Sequence, residues 1–391
     1  MSKQIQSSGI MTLLIVLAGG TAWGLTSRGS GGGGDTQVIH ACINPAGQLR
    51  VVGPDELCHR QETPLSWNVV GPQGPQGEQG PQGEPGLTPE QEEILSHMSI
   101  VFLDDGMGNM IKTIRITGVN VQVVNGMDDT ETTNGAGNLI VGYNEDSNGV
   151  EDRSGSHNLV VGIDHTFRSY GGLVAGQNNN ITAPYASVSG GRLNTASGPS
   201  SSVSGGFSNT ASGPQSSVSG GTENEASGAY ASVSGGTLNT ASGAYASVSG
   251  GRANTASGDQ SSVSGGHANT ASGQWSSVSG GNGNEASGQL SSVSGGVGNE
   301  ASGFGSSVSG GAVNTASGLY SSVSGGQFNQ ASAVYSGVSG GGFNTASGGS
   351  SSVSGGKGNE ASGPRSSVSG GLNRSAPGDH DWAAGSLFEN E

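Results

Sequence analysis

A 15-residue repeat fills the second half of the chain and limits the folds open to it. Valines recur at a constant spacing of 15 from Val188 to Val368, in 13 copies of the pattern Ser-Val-Ser-Gly-Gly-x-x-Asn-Thr-Ala-Ser-Gly-x-x-Ser. A fixed period this short is typical of a solenoid, in which each repeat contacts only its neighbours. The repeat therefore predicts a parallel β-solenoid with one coil per repeat.

The order of residues within a repeat predicts the shape of the coil. In Ser-Val-Ser and Thr-Ala-Ser the apolar residue alternates with hydroxyls, so Val and Ala face inward on two short strands. The Gly pair and the later single Gly predict corners with positive φ, which costs glycine least. An asparagine recurs from Asn194 to Asn359, and stacked amides predict a hydrogen-bonded ladder. The variable x-x pairs are expected in loops.

The composition taken alone would indicate disorder. Glycine fills 76 of 391 positions and the formal net charge is −16, a combination with too little apolar surface for an ordinary core. The strict period overrides this, because stacked coils gain backbone hydrogen bonds. The 13 basic residues form no stripe beside the 29 acidic ones, so we expect no nucleic-acid partner.

The N-terminus is predicted to carry an export signal. Lys3 precedes an apolar segment at residues 10–18 and small residues up to Gly24. Residues 1–24 are therefore predicted to be a signal peptide or an uncleaved N-terminal anchor, followed by a Gly-rich linker at 25–37. Either alternative makes the bulk of the chain extracellular or cell-surface, with membrane contact only through an uncleaved N-terminal segment.

The two cysteines, Cys42 and Cys58, predict one disulfide that closes a small β-rich module at residues 38–70. A zinc site built from His40, Cys42, Cys58 and His59 is the alternative. Adjacent Cys58 and His59 do not match the usual spacing of zinc ligands, so the disulfide is favoured. We expect no metal and no cofactor.

Residues 71–86 carry glycine at every third position, at 71, 74, 77, 80, 83 and 86. This spacing predicts a collagen-like triple helix, because only glycine fits at the crowded axis of three polyproline-II chains. The tract therefore predicts a homotrimer, with a Pro-rich spacer as the alternative.

The next segments lead into the solenoid. Thr88, Pro89 and Gln91 predict a capped helix over residues 87–98. Alternating apolar residues from Ile111 to Val123 predict a β lead-in over 99–137. The solenoid is expected over 138–371, with irregular early coils, and a C-terminal cap over 372–391.

One variable position carries aligned large side chains. They lie two residues before Ser-Val and are either a contact surface between rods, which we favour, or an exposed ligand-binding row. Because Val and Ala make a thin core, three rods are expected to associate side by side. The aligned residues are Tyr185, Tyr230, Tyr245, Trp275, Leu290, Tyr320 and Tyr335.

The repeat Gly-Gly-x-x-Asn-Thr-Ala-Ser-Gly-x-x-Ser-Ser-Val-Ser-Gly resembles the Gly-x-x-Ser-x-Ala-x-Gly pattern in the head of YadA-type trimeric autotransporter adhesins, over residues 138–371. That family implies a left-handed, trimeric parallel β-roll that mediates attachment. The N-terminal half is similar to bacterial collagen-like surface proteins.

An enzyme is not expected. Gly337-Val338-Ser339-Gly340-Gly341 matches Gly-x-Ser-x-Gly only because one repeat has glycine for serine, outside a strand-to-helix turn. We expect a trimeric fibre for adhesion or structural attachment, binding a host or matrix surface protein or glycan. The alternatives are an ice-binding solenoid, weakened because glutamate interrupts the Thr column, and a phage-like receptor-binding fibre.

Overall fold

The computed structural model describes residues 38–68, 77, 86–147 and 149–385. The predicted signal peptide or anchor (1–24), the linker (25–37), nearly all of the Gly-x-y tract (71–86) and the end of the predicted cap (386–391) lie outside the described residues. The chain divides into two units, Met1–Arg115 and Ile116–Glu391.

The first unit begins with a three-stranded antiparallel sheet. Its strands are β1 (Val38–Ile43), β2 (Leu49–Val52) and β3 (Thr63–Asn68), in the order β2-β1-β3. Cys42 on the central strand is buried and forms a disulfide with Cys58. The predicted disulfide-closed β module is therefore confirmed.

A short helix and a hairpin follow. Helix α1 spans Pro89–Ser96, and the predicted capping box is confirmed, since Thr88 and Gln91 each accept the other's backbone N–H through a side-chain oxygen. Strands β4 (Met98–Asp104) and β5 (Met110–Ile116) form a two-stranded sheet. The alternating residues beyond β5, up to Val123, are exposed and form no strand, because Gly118 leaves the extended region at φ +78°.

The second unit is a parallel β-solenoid, as the repeat predicts. In its first sheet, the Ser-Val sheet, neighbouring strands are parallel and in register. Leu139 pairs with Leu159, Leu159 with Leu173 and Leu173 with Ser187, and Ser187 pairs with Ser202 in the first of the regular repeats. Its strands are Leu139–Val141, Leu159–Ile163, Leu173–Gln177, Ser187–Val188, Ser202–Val203, Ser217–Val218, Ser232–Val233, Ser247–Val248, Ser262–Val263, Ser277–Val278, Ser292–Val293, Ser307–Val308, Ser322–Val323, Gly337–Val338, Ser352–Val353, Ser367–Val368 and Trp382–Ala383.

The second sheet, the Thr-Ala sheet, contains 15 parallel strands. Its strands are Thr166–Phe167, Asn180–Ile181, Thr195–Ala196, Thr210–Ala211, Glu225–Ala226, Thr240–Ala241, Thr255–Ala256, Thr270–Ala271, Glu285–Ala286, Glu300–Ala301, Thr315–Ala316, Gln330–Ala331, Thr345–Ala346, Glu360–Ala361 and Ser375–Ala376. Successive coils are offset by one sheet spacing, about 4.8 Å.

The core lies between the two sheets. Every repeat valine and alanine at the predicted inward positions is at most 2 % exposed, which confirms the alternation. In the early coils Phe167 and Ile181 take the place of the alanine. The core is therefore widest at the N-terminal end of the solenoid and thin along the regular repeats.

The solenoid continues past its predicted end at residue 371. Ser375–Ala376 pairs with Glu360–Ala361, and Trp382–Ala383 pairs with Ser367–Val368. Part of the predicted cap is thus a further coil. The repeat motif is lost there, but alanines still stand 15 positions after the inward Ala361 and Val368.

Candidate functional site

The buried asparagines form a ladder along the solenoid. From Asn194 to Asn359 each is at most 1 % exposed. The backbone N–H of Asn269 donates to Oδ1 of Asn254 at 3.0 Å, and the same bond joins each neighbouring pair at 2.8–3.0 Å. The predicted ladder is confirmed, although the oxygens accept mainly from the main chain and not from the next amide.

The amide nitrogen of each ladder asparagine fastens the glycine corner. Nδ2 of Asn254 donates to the carbonyl of Gly250 at 2.9 Å and to that of Gly266, one coil on, at 3.1 Å. One side chain therefore satisfies three main-chain groups in two successive coils, one in its own coil and two in the next. This is why the position holds asparagine: a side chain needs both an acceptor and a two-proton donor to do so.

A histidine starts the ladder. Nδ1 of buried His165 accepts the backbone N–H of Asn179 at 3.2 Å, and its Nε2 lies 3.0 Å from the carbonyl of Val161. The ring thus copies the acceptor and donor of an asparagine. Sequence reasoning missed it, although His165 directly precedes a strand of the Thr-Ala sheet, as each ladder asparagine does.

A column of inward hydroxyls was also missed. The residue before each Ser-Val pair points into the core, as serine at Ser201 and its equivalents or as alanine at Ala186, Ala231 and Ala246. Among the described residues eight of these hydroxyls have no hydrogen-bond partner. Ser306 and Ser336 donate to the carbonyl three residues earlier at 2.8 Å. These side chains therefore serve to fill the core, and packing at this position does not require a hydroxyl group.

The recurrence of glycine at fixed positions of the repeat has two physical causes. Of the glycine pair, the second member has the predicted positive φ, as Gly266 does at +89°, where a Cβ would also lie 2.3 Å from the carbonyl oxygen of Gly281, whereas the first member, Gly265, does not. The predicted positive φ at the single glycine is wrong. At Gly258 the next coil passes so close that a Cβ would lie 2.1 Å from the carbonyl oxygen of Gly273, and among the regular repeats only one coil has alanine at this position, Ala333.

The outward strand faces are nearly uniform. On the Ser-Val sheet two serine columns run along the regular coils, with Gly337 as the one exception in the first column. On the Thr-Ala sheet the column mixes threonine with Glu225, Glu285, Glu300, Gln330 and Glu360. Apart from Gly337 and these Glu and Gln residues, the outward side chains of one regular coil are the same as those of the next.

Each turn carries a pair of variable residues, and the second residue of each pair forms a row along the solenoid. Row A, the position before the inward Ser or Ala, follows the Thr-Ala strand, and all its members have φ between +53° and +62°. Row A is Tyr185, Ser200, Gln215, Tyr230, Tyr245, Gln260, Trp275, Leu290, Gly305, Tyr320, Tyr335, Ser350 and Arg365.

Row B, the position before the ladder asparagine, follows the Ser-Val strand, and its φ values lie between +53° and +66°. Each coil is a strand, a turn, a second strand and a second turn, so the two rows occupy opposite edges of the coil. Row B is Leu193, Ser208, Glu223, Leu238, Ala253, Ala268, Gly283, Gly298, Val313, Phe328, Phe343, Gly358 and Asn373.

Neighbouring aromatic rings in these rows stack on each other along the solenoid. The centroids of Tyr230 and Tyr245 are 4.7 Å apart with planes 1° from parallel, and Phe328 and Phe343 are 4.9 Å apart. The large residues that were predicted to align do so in row A, where they are 44–62 % exposed. Since stacking covers the ring faces, a partner would meet mainly ring edges.

The disulfide module has a separate polar cluster. Arg50 bonds Glu56 at 2.6 Å and Glu62 at 2.9 Å. The side-chain hydrogen bond from Arg50 lowers the pKa of Glu62. The sulfurs of Cys42 and Cys58 are bonded to each other, whereas a zinc set with His40 and His59 would need both as free thiolates.

Comparison with known proteins assigns no family. No protein-family model matches the chain, and no curated protein matches its sequence. Among the residues that the structure describes, no helix has the length and apolar character needed to cross a bilayer.

Proposed function

We propose that the protein is a secreted or cell-surface homotrimeric fibre that serves adhesion or structural attachment. The observation that supports this best is the solenoid, in which the most variable and partly apolar side chains lie at the two turns of each coil, between strands with polar outward faces. Each further repeat lengthens the solenoid and leaves the outward faces of its two sheets nearly unchanged. Such a stack suits a spacer that presents contact residues at its edges.

Two features support three copies. The Gly-x-y tract at 71–86 has no use in a single chain. The regular coils bury only small inward residues (Val, Ala, Asn, Gly and Ser or Ala), so each adds little apolar burial by itself. Lateral association would add burial. The left-handed, trimeric β-roll implied by the resemblance to YadA-type heads is part of the proposal.

Location and partner belong to the same proposal. The apolar segment near the N-terminus and the disulfide Cys42–Cys58 are typical of exported proteins. The partner is proposed to be a host or matrix surface protein or glycan. No catalytic step, cofactor or nucleic acid is part of it.

Sedimentation of the secreted full-length protein tests the assembly. We expect a trimer in analytical ultracentrifugation. Gly77→Ala should lower the melting temperature of the tract, because a methyl group does not fit at the triple-helix axis. Gln76→Ala, at a non-glycine position of the same triplet repeat, is the matched control. A monomer that keeps its β-structure contradicts the proposal.

Attachment is tested with the folded trimer on immobilised glycans and matrix proteins. Saturable binding to one of these classes, absent after unfolding in urea, is the expected result. If the trimer binds none of them, the adhesive role is wrong. The structural role is then tested by comparing the surface of wild-type cells with that of cells from which the gene has been deleted.

Ice binding is a second candidate, and one observation favours it. The double serine column on the Ser-Val sheet is nearly uninterrupted, unlike the Thr column that glutamate breaks. A flat hydroxyl array with a repeat of about 4.8 Å between strands can order water. Thermal hysteresis in dilute solution is the test, and its absence rejects this candidate.

A further inference from the structure

We infer that the hairpin of β4 and β5 is the surface through which the copies of the proposed fibre are held together: the apolar faces of three hairpins, one from each copy, pack on one another. This inference rests on the proposed homotrimer. The hairpin follows helix α1 directly, between the Gly-x-y tract and the solenoid. It is therefore placed where the three chains of a triple helix would separate.

Helix α1 and the hairpin are regular elements without a core of their own. None of the residues from 86 to 115, all of which the structure describes, is buried, although they form a capped helix and two paired strands. The disulfide module, by contrast, buries Ala41 and Cys42, and the solenoid buries its valines and alanines. A two-stranded hairpin without such packing is marginally stable at best in water. The burial that stabilises this hairpin must therefore come from another surface.

The exposed apolar side chains are concentrated on one face of the hairpin. The N–H of Asp105 donates to the carbonyl of Asn109 at 3.0 Å across the turn, which sets Asp104 opposite Met110. Since alternate residues of a strand share a face, the even-numbered residues of both strands lie on the same side. This surface, the hairpin face, consists of Met98, Ile100, Phe102 and Asp104 from β4 and Met110, Lys112, Ile114 and Ile116 from β5.

The composition of the hairpin face suits packing on its own copies. Ile100, Phe102, Met110 and Ile114 are 57–66 % exposed, and contiguous exposed apolar side chains of this kind mark protein–protein contacts. Six of the eight side chains are apolar, and the two charged ones have opposite signs. Three such faces therefore meet without an excess of charge of one sign.

The Gly-x-y tract brings copies of this face together. The chains of a collagen-like triple helix share one axis, and only Leu87 and Thr88 separate Gly86 from helix α1. Since α1 is about 12 Å long and only His97 separates it from β4, three hairpins are held at a high effective concentration.

The tract needs such a partner. Residues 71–86 contain only Gly, Pro, Gln and Glu, so the tract contributes little apolar burial, which is the main favourable term in most protein association. The hairpin face supplies this burial within a few residues of the end of the tract.

A charge on the hairpin face tests the contact in the full-length protein. Ile100→Glu places a carboxylate on this face, and Ser99→Glu, the matched control, places one on the opposite face of the same strand. A charge buried without a partner is costly, so for Ile100→Glu the concentration at which half of the chains are monomeric should rise at least about 100-fold in sedimentation. Ser99→Glu should change that concentration by less than about threefold. Circular dichroism checks that the solenoid stays folded in both variants, and equal effects of the two overturn the inference.

Hydrogen exchange of the wild-type protein tells packing on other copies from packing on the same chain. As the trimer dissociates on dilution, the amides of β4 and β5 should lose their protection in step with it, while those of the solenoid remain protected. Protection of the hairpin that does not depend on concentration means that its own chain covers the face, and this rejects the inference.

The outcomes separate this inference from the proposed function. If the wild-type protein is a trimer and Ile100→Glu leaves its dissociation unchanged, the homotrimer stands and the hairpin contact is rejected. A monomeric wild-type protein rejects both.

Discussion

The imidazole of His165 accepts the backbone N–H of Asn179 at 3.2 Å and so occupies the first step of the asparagine ladder. The acceptor is Nδ1, which requires the neutral ring with its proton on Nε2, opposite the carbonyl of Val161. Burial lowers the pKa of His165 below its ordinary value of 6.5, and the nearby Arg153 acts in the same direction. Asp164 is the adjacent acid, and its carboxylate binds the N–H of Ser147.

This arrangement predicts that the N-terminal coils lose stability in acid. The folded pKa of His165 is below the unfolded one, so the unfolded state binds more protons and stability decreases as the pH is lowered. The contribution is complete above pH 6.5 and is lost as the pH falls below that value through the folded pKa. Hydrogen exchange of the Asn179 amide should accelerate in acid relative to the Asn194 amide, after correction for intrinsic rates.

The control for the acid effect is His165→Asn. Asparagine supplies an acceptor and a donor without titrating in this range, so the ratio of exchange rates at Asn179 and Asn194 should become independent of pH. If the ratio in the wild-type protein is already constant between pH 7.5 and 5, the histidine does not control this end of the ladder.

Removing one ladder amide is expected to cost stability. Asn254→Ala leaves the N–H of Asn269 and the carbonyl of Gly250 without this partner, whereas the carbonyl of Gly266 keeps the N–H of Arg252. Buried unpaired groups cost about 1–3 kcal/mol each, so the free energy of unfolding should fall by at least about 2 kcal/mol. Urea unfolding measures it. Asn282→Ala, at an exposed turn position, should change it by less than about 0.5 kcal/mol, and equal effects would refute the role of the ladder.

The inward serines predict an opposite effect. Ser291 is 1 % exposed and its hydroxyl has no partner among the described residues. Ser291→Ala should raise the free energy of unfolding by up to about 1 kcal/mol, because it removes a buried polar group. Ser306→Ala also removes the hydrogen bond to the carbonyl of Gly303 at 2.8 Å, so it should raise the free energy of unfolding by less than Ser291→Ala does. Destabilisation by Ser291→Ala would show that its hydroxyl is satisfied in solution.

Much of this fold follows from periodicity alone. The spacing of 15 predicts parallel, in-register coils, and alternation about Val188 and Ala196 predicts which side chains are buried. Both depend only on local sequence. The asparagine ladder is likewise visible, because one residue type recurs at one position.

Other features required coordinates. Tyr230 and Trp275 lie in the left-handed region at φ +60° and +57°, where such residues are uncommon. Inter-coil hydrogen bonds hold them there, since the N–H of Tyr230 donates to Pro214 at 2.9 Å. His165 was missed because it stands 14 residues, not 15, before Asn179. The coil after residue 371 was missed because its core residues persist while the motif does not.

The glycine pair allows a test with an internal control. At Gly266 both a positive φ and the carbonyl of Gly281 exclude a side chain, whereas a Cβ at Gly265 would meet nothing within 4 Å. Gly266→Ala should lower the free energy of unfolding by at least about 3 kcal/mol, since the methyl group forces neighbouring coils apart in addition to the strain of positive φ. Gly265→Ala should change it by less than about 1 kcal/mol. Circular dichroism during urea unfolding measures both, and similar values for the two variants would contradict the close packing of coils at this corner.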